Sequence, residues 1–391
     1  MEYTLTRAHV HKLTAELLTE HLKVTDYKRT CPARTLLSLL FAACARLVSL
    51  SAATADLLRG PSPETVRKAL RANTPTIEIL ESRLNRTLRA TTPACRGSGP
   101  HVALDLTLIP YHGQHHTHEN ELYRSQAKSG TTHFHAYASA YLIRHGHRVT
   151  LALSYVRKGE DLAAVVKRLM RRVRDAGVRP SLVLLDRGFF TVNVIRYFQA
   201  ARTAFLMPVP LRGRKKDHPE GPGGTRVFEY WTTGGRGEHT LTHTSGKTAT
   251  VGIMVHCRNR AGRRGKHGRE RLVYAYWGWD PPSAAQVSQL YRSRFGIETS
   301  YRQMNQCRAR TCTRNPAVRL LLVGVALVLR NVWVWLHWSV LSVPKRGRRV
   351  LRLEALPIRT LLLMLLAVAV EQFGINDAIL AQQPIPDWID A

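Results

Sequence analysis

Three acids stand in settings that acids usually avoid. Asp105 lies inside the apolar run HVALDLTLIP, Asp186 ends the run SLVLLD, and Glu298 is alone in the basic stretch YRSRFGIETSYRQ. Each has a bland reading. Asp105 can be a strand-end residue facing solvent, and Asp186 a turn former before Gly188. On a helix, Tyr291, Arg294, Glu298 and Arg302 share one face. Glu298 can therefore be the middle of an i,i+4 ladder, contributing about 0.2–0.5 kcal/mol per pair. The sharper reading brings the three together. Neighbouring strand ends place Asp105 beside Asp186, and a helix packed on the sheet delivers Glu298. Three convergent carboxylates repel unless cations bind between them. Hard cations take oxygen ligands. The matching chemistry is phosphoryl transfer by two magnesium ions ~3.5–4 Å apart, clamping the attacking and leaving oxygens.

The elements that must position these acids are legible in the hydrophobic period. Residues 1–98 have helical spacing throughout. Within them, AATADLL stops at Arg59-Gly60-Pro61, and a second helix starts with Ser62 as N-cap and Pro63 at its first position. This pair resembles a helix-turn-helix whose basic second helix carries Arg67, Lys68 and Arg71. The alternative is an ordinary helical hairpin with a solvated basic face. From residue 99 the period becomes that of strands: HVALDLTLIPYHG, HFHAYASAYLIRHG and HRVTLALSYV, then a helix over Glu160–Ala176. The strand PSLVLLDRGFF, the helix TVNVIRYFQAAR and the strand TAFLMPV follow. The fold class is α/β, a mixed sheet with flanking helices.

Residues 208–282 break that rhythm with the short strands TRVFEYWTT, HTLTHT, TATVGIMVHC and RLVYAYWGW, a β-rich insertion. Its tip, residues 258–271, holds seven Lys or Arg residues and includes Arg263, Arg264 and Lys266. Ser283 then caps a long helix that carries Glu298. The division expected is 1–98 helical and DNA-binding, 99–207 the first part of a catalytic core, 208–282 the insertion, 283–343 the rest of the core, and 344–391 a C-terminal helical region with the basic loop PKRGRR.

Composition narrows the partners. The 391 residues hold 58 Lys and Arg against 27 Asp and Glu, a formal charge of +31. That excess favours a polyanion, either nucleic acid or an anionic membrane surface. The apolar runs 320–329 and 361–370 are too short for a spanning helix, which needs about 20 residues. They are expected to be buried core helices. The six cysteines form no C-x2-C pair, and the N-terminus has no apolar signal region. A reduced, cytoplasmic protein is expected. The histidines His112, His115, His116 and His118, with His133 and His135 beyond, match no standard zinc spacing. A solvated loop or phosphate contact fits them better than a transition metal.

The order of these residues resembles the DDE transposases with an RNase H-like core, and within them the insertion-sequence-four group. Three matches carry the resemblance: ALDLTLIPYHG around Asp105, LLDRGFF around Asp186, and the Tyr-x2-Arg-x3-Glu signature met by Tyr291, Arg294 and Glu298. It covers residues 100–340, and the β-rich insertion between the second Asp and the Glu corresponds to 208–282. The signature usually continues to a Lys or Arg seven residues after the Glu, where this chain has Asn305. Arg302, Arg308 and Arg310 are the nearby substitutes.

The resemblance implies a prokaryotic, nucleoid-associated enzyme that cuts DNA at the ends of an insertion sequence. The released 3′-OH then joins target DNA. Asp105, Asp186 and Glu298 would bind two Mg2+, with Mn2+ as a substitute. Tyr291, Arg294, Arg302 and Arg187 would contact DNA near the cut, and Trp231, Trp277 and Trp279 are candidates to stack on a flipped base. Sheet packing is the alternative for each tryptophan. Double-stranded DNA and a second copy of the chain are the expected partners, with neither a membrane nor a small-molecule substrate. The rivals are an RNase H-like nuclease that cuts without joining, and a catalytically decayed DNA-binding protein.

Overall fold

Strand pairing places the acids before any side chain is considered. A computed structural model describes residues 3–92, 99–114, 122–144, 148–259, 269–346 and 348–376. Five helices come first: α1 (Arg7–Leu22), α2 (Ala33–Arg46), α3 (Leu50–Ala55), α4 (Pro63–Ala72) and α5 (Ile77–Ala90). Then follow β1 (His101–Pro110), β2 (Tyr123–Lys128), β3 (Thr131–Ile143), β4 (Thr150–Val156), α6 (Leu162–Asp175), β5 (Leu182–Leu185), α7 (Val192–Ala200) and β6 (Phe205–Pro208). The insertion supplies β7 (Gly235–Thr242), β8 (Thr248–Asn259) and β9 (Arg269–Trp277). The chain then runs through α8 (Ala284–Arg292), α9 (Gly296–Gln306), α10 (Pro316–Ser339), the hairpin β10 (Val343–Lys345) and β11 (Arg348–Val350), and α11 (Ile358–Phe373).

One mixed sheet of nine strands organises the molecule, in the order β2-β3-β1-β5-β6-β9-β8-β7, with β4 also paired to β3. β1 is antiparallel to β3 and parallel to β5. The parallel register ends at Leu104↔Leu185, so the next residues along the two strands are Asp105 and Asp186. Because β9 pairs with β6, the insertion continues the central sheet rather than forming a sheet of its own.

The hydrophobic core runs unbroken from the N-terminal helices into the sheet. Asn85 on α5 bonds Leu153 on β4 in both directions, its amide donating to the carbonyl at 2.8 Å and its carbonyl accepting from the N–H at 2.9 Å. α10 is buried along its length and lies close against α5. A Cβ at Gly324 would come within 2.4 Å of Leu84, so only glycine permits that approach. α10 is the buried core helix expected of residues 320–329. α11 differs, because its Leu361, Leu365, Ala369 and Phe373 face is buried while Leu363 is exposed. By length and composition alone, α10 and the stretch Leu353–Phe373 could each cross a membrane.

One strand is added to those expected, and two local expectations are corrected. YRSQAK forms β2, a polar edge strand without the apolar alternation that marks a strand in sequence. TRVFEYWTT is not a strand, because Gly224–Tyr230 coils into a 3-10 helix. The long helix from Ser283 is broken. α8 ends at Arg292, a 3-10 turn spans Ser293–Phe295, and α9 starts at Gly296. Gly296 weakens a continuous helix there by about 1 kcal/mol relative to alanine.

Candidate active site

The three acids reach one place from three elements. Asp105 projects from the middle of β1, and Asp186 follows β5 as the N-cap of a 3-10 turn, Arg187–Phe189. Glu298 stands in the first turn of α9, where a negative charge suits the helix dipole. Between them lies the guanidinium of Arg294, 5% exposed. Its Nη1 is 3.2 Å from Asp105 Oδ2, and its Nη2 is 3.8 Å from Asp186 Oδ1 and 3.0 Å from Glu298 Oε1. Of these three contacts, the one to Glu298 has hydrogen-bond geometry, and Nε and Nη1 are buried without a hydrogen-bond partner among the described residues. The Glu298 pair is the i,i+4 ladder of the bland reading. The contacts to Asp105 and Asp186 are not explained by a ladder.

The balance of charge at this point is three acids to one base. Asp105 is pushed up to about 6. Burial is the main cause, the Asp186 and Glu298 charges add to it, and Arg294 and the Leu106 N–H work against it. Arg294 itself is shifted upward. Burial opposes its charge, and Tyr291 with the three acids more than offsets that.

Two tyrosines lock the supporting shell. Tyr291 O–H donates to Leu185 O at 3.1 Å, just before Asp186. Tyr301 O–H lies 3.1 Å from Asp105 O and 2.8 Å from Ser139 Oγ, tying α9 to β1 and β3. The backbone on both sides of the acids is thereby held to the helices that bring Glu298. Tyr301 was missed in the sequence reading. The signal was present, since Tyr301 lies three residues after Glu298, on the same helical face.

The remaining sequence candidates divide. Arg187 and Arg302 are exposed near the acids, and Arg302 Nη2 donates to Thr299 Oγ1 at 3.3 Å. Arg187 lines a cleft of about 270 Å3 with Arg258, Arg271, Arg292 and the exposed Phe295, between the insertion and the acids. Asn305 is exposed on α9, and Arg308 is turned inward, with its Nε 3.4 Å from Asn305 Oδ1. Arg67, Lys68 and Arg71 lie on the exposed face of α4, where Glu64 pairs with Arg67 and, at 3.6 Å, with Lys68. That face is far in sequence from the acids. Arg263, Arg264 and Lys266 lie outside the described residues, as do His115, His116 and His118.

The three tryptophans are half-buried and packed. Trp277 is paired opposite Phe205, and Trp279 Nε1 donates to Phe205 O at 3.2 Å. Trp231 packs against Phe228 and closes over Gly237, and its carbonyl accepts from Arg271 Nε at 2.6 Å, so it borders the arginine cleft. His112 is exposed, and His135 is buried against Tyr111 and Tyr155.

Among the described residues, no three His, Cys, Asp or Glu groups are spaced to close on a metal ion. The triad converges on Arg294 instead. Its donor set nonetheless suits a hard divalent cation. The ligands are all carboxylate oxygens, and the side chains of Asp186 and Glu298 are 41% and 46% exposed, leaving lone pairs open on the solvent side.

Comparison with known proteins follows the same lines. The chain is similar to the piggyBac transposase in a cryo-EM structure of its synaptic complex with hairpin DNA, with a TM-score of 0.53 and 12% identity. The match covers 95% of this chain and 81% of that one, and at this identity it is a likeness of fold. Among curated proteins, none matches. The strand order β4-β3-β1-β5-β6 with helices on its faces is the RNase H-like arrangement expected from the sequence. The transposase DDE domain family matches residues 96–330, more than half of the chain and a span that includes all three acids. The chain therefore belongs to the transposase DDE domain family.

Proposed function

We propose that this transposase belongs to the insertion-sequence-four group, cuts DNA at the ends of its element and joins the freed 3′-OH to target DNA. One observation carries the reading. Asp105, Asp186 and Glu298 arrive from two strand positions and a helix at a single guanidinium, within 3.0–3.8 Å of its nitrogens. An acid excess of this kind is what a polynucleotidyl-transfer site needs and what a purely structural site avoids.

Asp105, Asp186 and Glu298 would hold the divalent metal, Mg2+ or Mn2+. When bound, it supplies Lewis-acid stabilisation of the charge that develops on the phosphate oxygens. The chain's own groups do the rest. Tyr291 and Tyr301 hold the acid-bearing backbone in place. Arg294 keeps the acids together in the absence of metal. Arg187 and Arg302 are exposed and face phosphates beside the cut, Arg302 in the role that the signature gives to the position of Asn305. The cleft at Arg187, Arg258, Arg271 and Arg292 guides the strand, with Trp231 at its border for an unpaired base. Water first displaces the flanking strand and leaves a 3′-OH on the element. That hydroxyl then attacks a target phosphodiester and releases a target 3′-OH. No covalent protein–DNA link is required. Arg67, Lys68 and Arg71 on α4, with the basic tip that includes Arg263, Arg264 and Lys266, supply phosphate contacts away from the cut. Two ends must be held together, so the working form is a dimer on DNA.

The test is a cleavage and joining assay on the element's flanking DNA with Mg2+, comparing wild type with Glu298→Gln. Wild-type cutting and joining, both lost in the variant, support the reading. Cutting without joining favours the nuclease. Binding alone, or equal behaviour of the two proteins, favours the decayed DNA-binding protein.

A further inference from the structure

The face of α9 opposite the acids borders a second cleft, of about 610 Å3. Its walls are α9, α10 and the strand β11 with the residues that follow it. Arg148, Arg330 and Arg349 line it, beside Trp333, Gln303 and Thr299. Among the described residues, no Asp or Glu lines it. The size falls within the range of ligand sites, roughly 300–1,000 Å3.

Arg330 is the unusual member. It is 3% exposed, and its guanidinium donates only to neutral acceptors: Gln303 Oε1 at 3.1 Å, Arg148 O at 2.5 Å and Tyr141 O–H at 3.0 Å. A buried cation without a counter-charge is costly, and hydrogen bonds to neutral groups recover only part of the lost hydration. Burial accordingly works against its charge. Nearby, His337 Nε2 is 2.8 Å from Leu356 O, so it carries the proton. Nδ1 is then an acceptor, and it is buried with no hydrogen-bond partner among the described residues. The cleft therefore offers positive charge, an unused acceptor and apolar walls, and it lacks an anion.

We propose that this cleft binds one nucleotide of an unpaired DNA strand, its phosphate on the arginines and its nucleoside against the Trp333 wall. The inference rests on the DNA-transposition reading above. A duplex is too wide to enter a cleft of this volume, whereas a single strand can thread it. Gly296, Thr299 and Gln303 line the cleft from α9 while Glu298 faces the acids, so a strand held here lies one helix away from the reacting phosphate. Arg148 and Arg349 are the exposed arginines of the cleft, and Arg330 is its floor.

The experiment compares two fluorescein-labelled DNAs in anisotropy titrations with the full chain. One is a blunt duplex, and the other is the same duplex with a short unpaired tail. The tailed DNA is expected to bind about tenfold more tightly, the scale of one stacked base and one phosphate contact. Arg148→Ala with Arg349→Ala should erase that preference and leave blunt-duplex affinity unchanged. Arg349 also donates to Trp338 O at 3.0 Å and to Ser342 Oγ at 3.2 Å, so Arg148→Ala alone, which breaks neither bond, is the second variant and should weaken the preference by itself. A control pair on another surface, Arg171→Ala with Arg179→Ala, should keep the preference. If wild type binds both DNAs equally, or the cleft variant still prefers the tail, this site is wrong and the transposition reading stands. If wild type binds neither DNA, both are wrong. If deoxyadenosine 5′-monophosphate fills the cleft with the same arginine dependence and tailed DNA does not compete, the ligand is a free nucleotide and the DNA proposal falls.

Discussion

Arg168 and Arg294 each gather carboxylates beside the central sheet, but their surroundings differ. Arg168 pairs with Glu160 and stands 3.8 Å from Glu81, while its Nε donates to Ser154 Oγ at 2.9 Å and its Nη2 to Tyr155 O at 3.0 Å. Glu81 Oε2 in turn accepts from the Ser154 hydroxyl and the Tyr155 N–H, each at 3.0 Å. That cluster is internally satisfied, and it ties α5 to β4 and α6. Arg294 faces three acids, has two nitrogens without a hydrogen bond among the described residues, and leaves Asp186 and Glu298 open to solvent. A structural cluster matches its donors to its acceptors. The cluster at Arg294 keeps carboxylate oxygens open as acceptors, which is the property a cation would use.

The comparison predicts opposite outcomes for the two sites. The largest effect is on catalysis. Alanine at Asp105, Asp186 or Glu298 should take cleavage below detection while DNA affinity stays within about twofold. Glu81→Ala should leave cleavage by the folded protein unchanged. Retention of full cleavage after any triad substitution would remove that residue from the site.

The next effect is on stability, and there the order reverses. Glu81→Ala leaves buried hydrogen-bond donors and Arg168 short of a partner, which should cost about 2–4 kcal/mol in urea unfolding. Asp105→Asn should instead stabilise the metal-free protein at neutral pH. The sign follows from the raised value of about 6 against the ordinary 3.8. Between those values the folded state holds a proton that the unfolded state has released, so stability falls as pH rises through that window. Above it, wild type carries a penalty of about 2–3 kcal/mol that the amide lacks. Below pH 3.8 the two proteins should converge. Thermal melts in EDTA across this range check the prediction, and a constant difference at every pH would refute it.

Much of this site was legible from sequence, and the reasons are physical. Asp105 and Asp186 interrupt or end apolar strands, and such interruptions are visible without coordinates. The helical face shared by Arg294 and Glu298 was visible too, but not the break at Ser293–Phe295 that buries Arg294 while Arg302 stays outside. A continuous helix was the natural expectation, since a 3-10 turn has no strong signature of its own. β2 was hidden because its residues are polar and its stability comes from pairing with β3. The clustering of Arg148, Arg330 and Arg349 was also hidden, because it joins a strand start, a buried helix and a hairpin far apart in sequence.

The smallest predicted effect separates positioning from affinity. Arg302→Ala removes one exposed cation, so the log–log salt slope of DNA binding should fall by about 0.9. Arg168→Ala should not change it. Equal slopes for wild type and Arg302→Ala would place Arg302 off the DNA.

The most direct test of the contrast is calorimetric titration of Mn2+ into the metal-free wild type, Glu298→Gln and Glu81→Gln. Wild type and Glu81→Gln should bind alike, and Glu298→Gln should bind at least about tenfold more weakly. Equal binding by all three proteins, or none by wild type, would contradict the claim that the acids around Arg294 form a cation site.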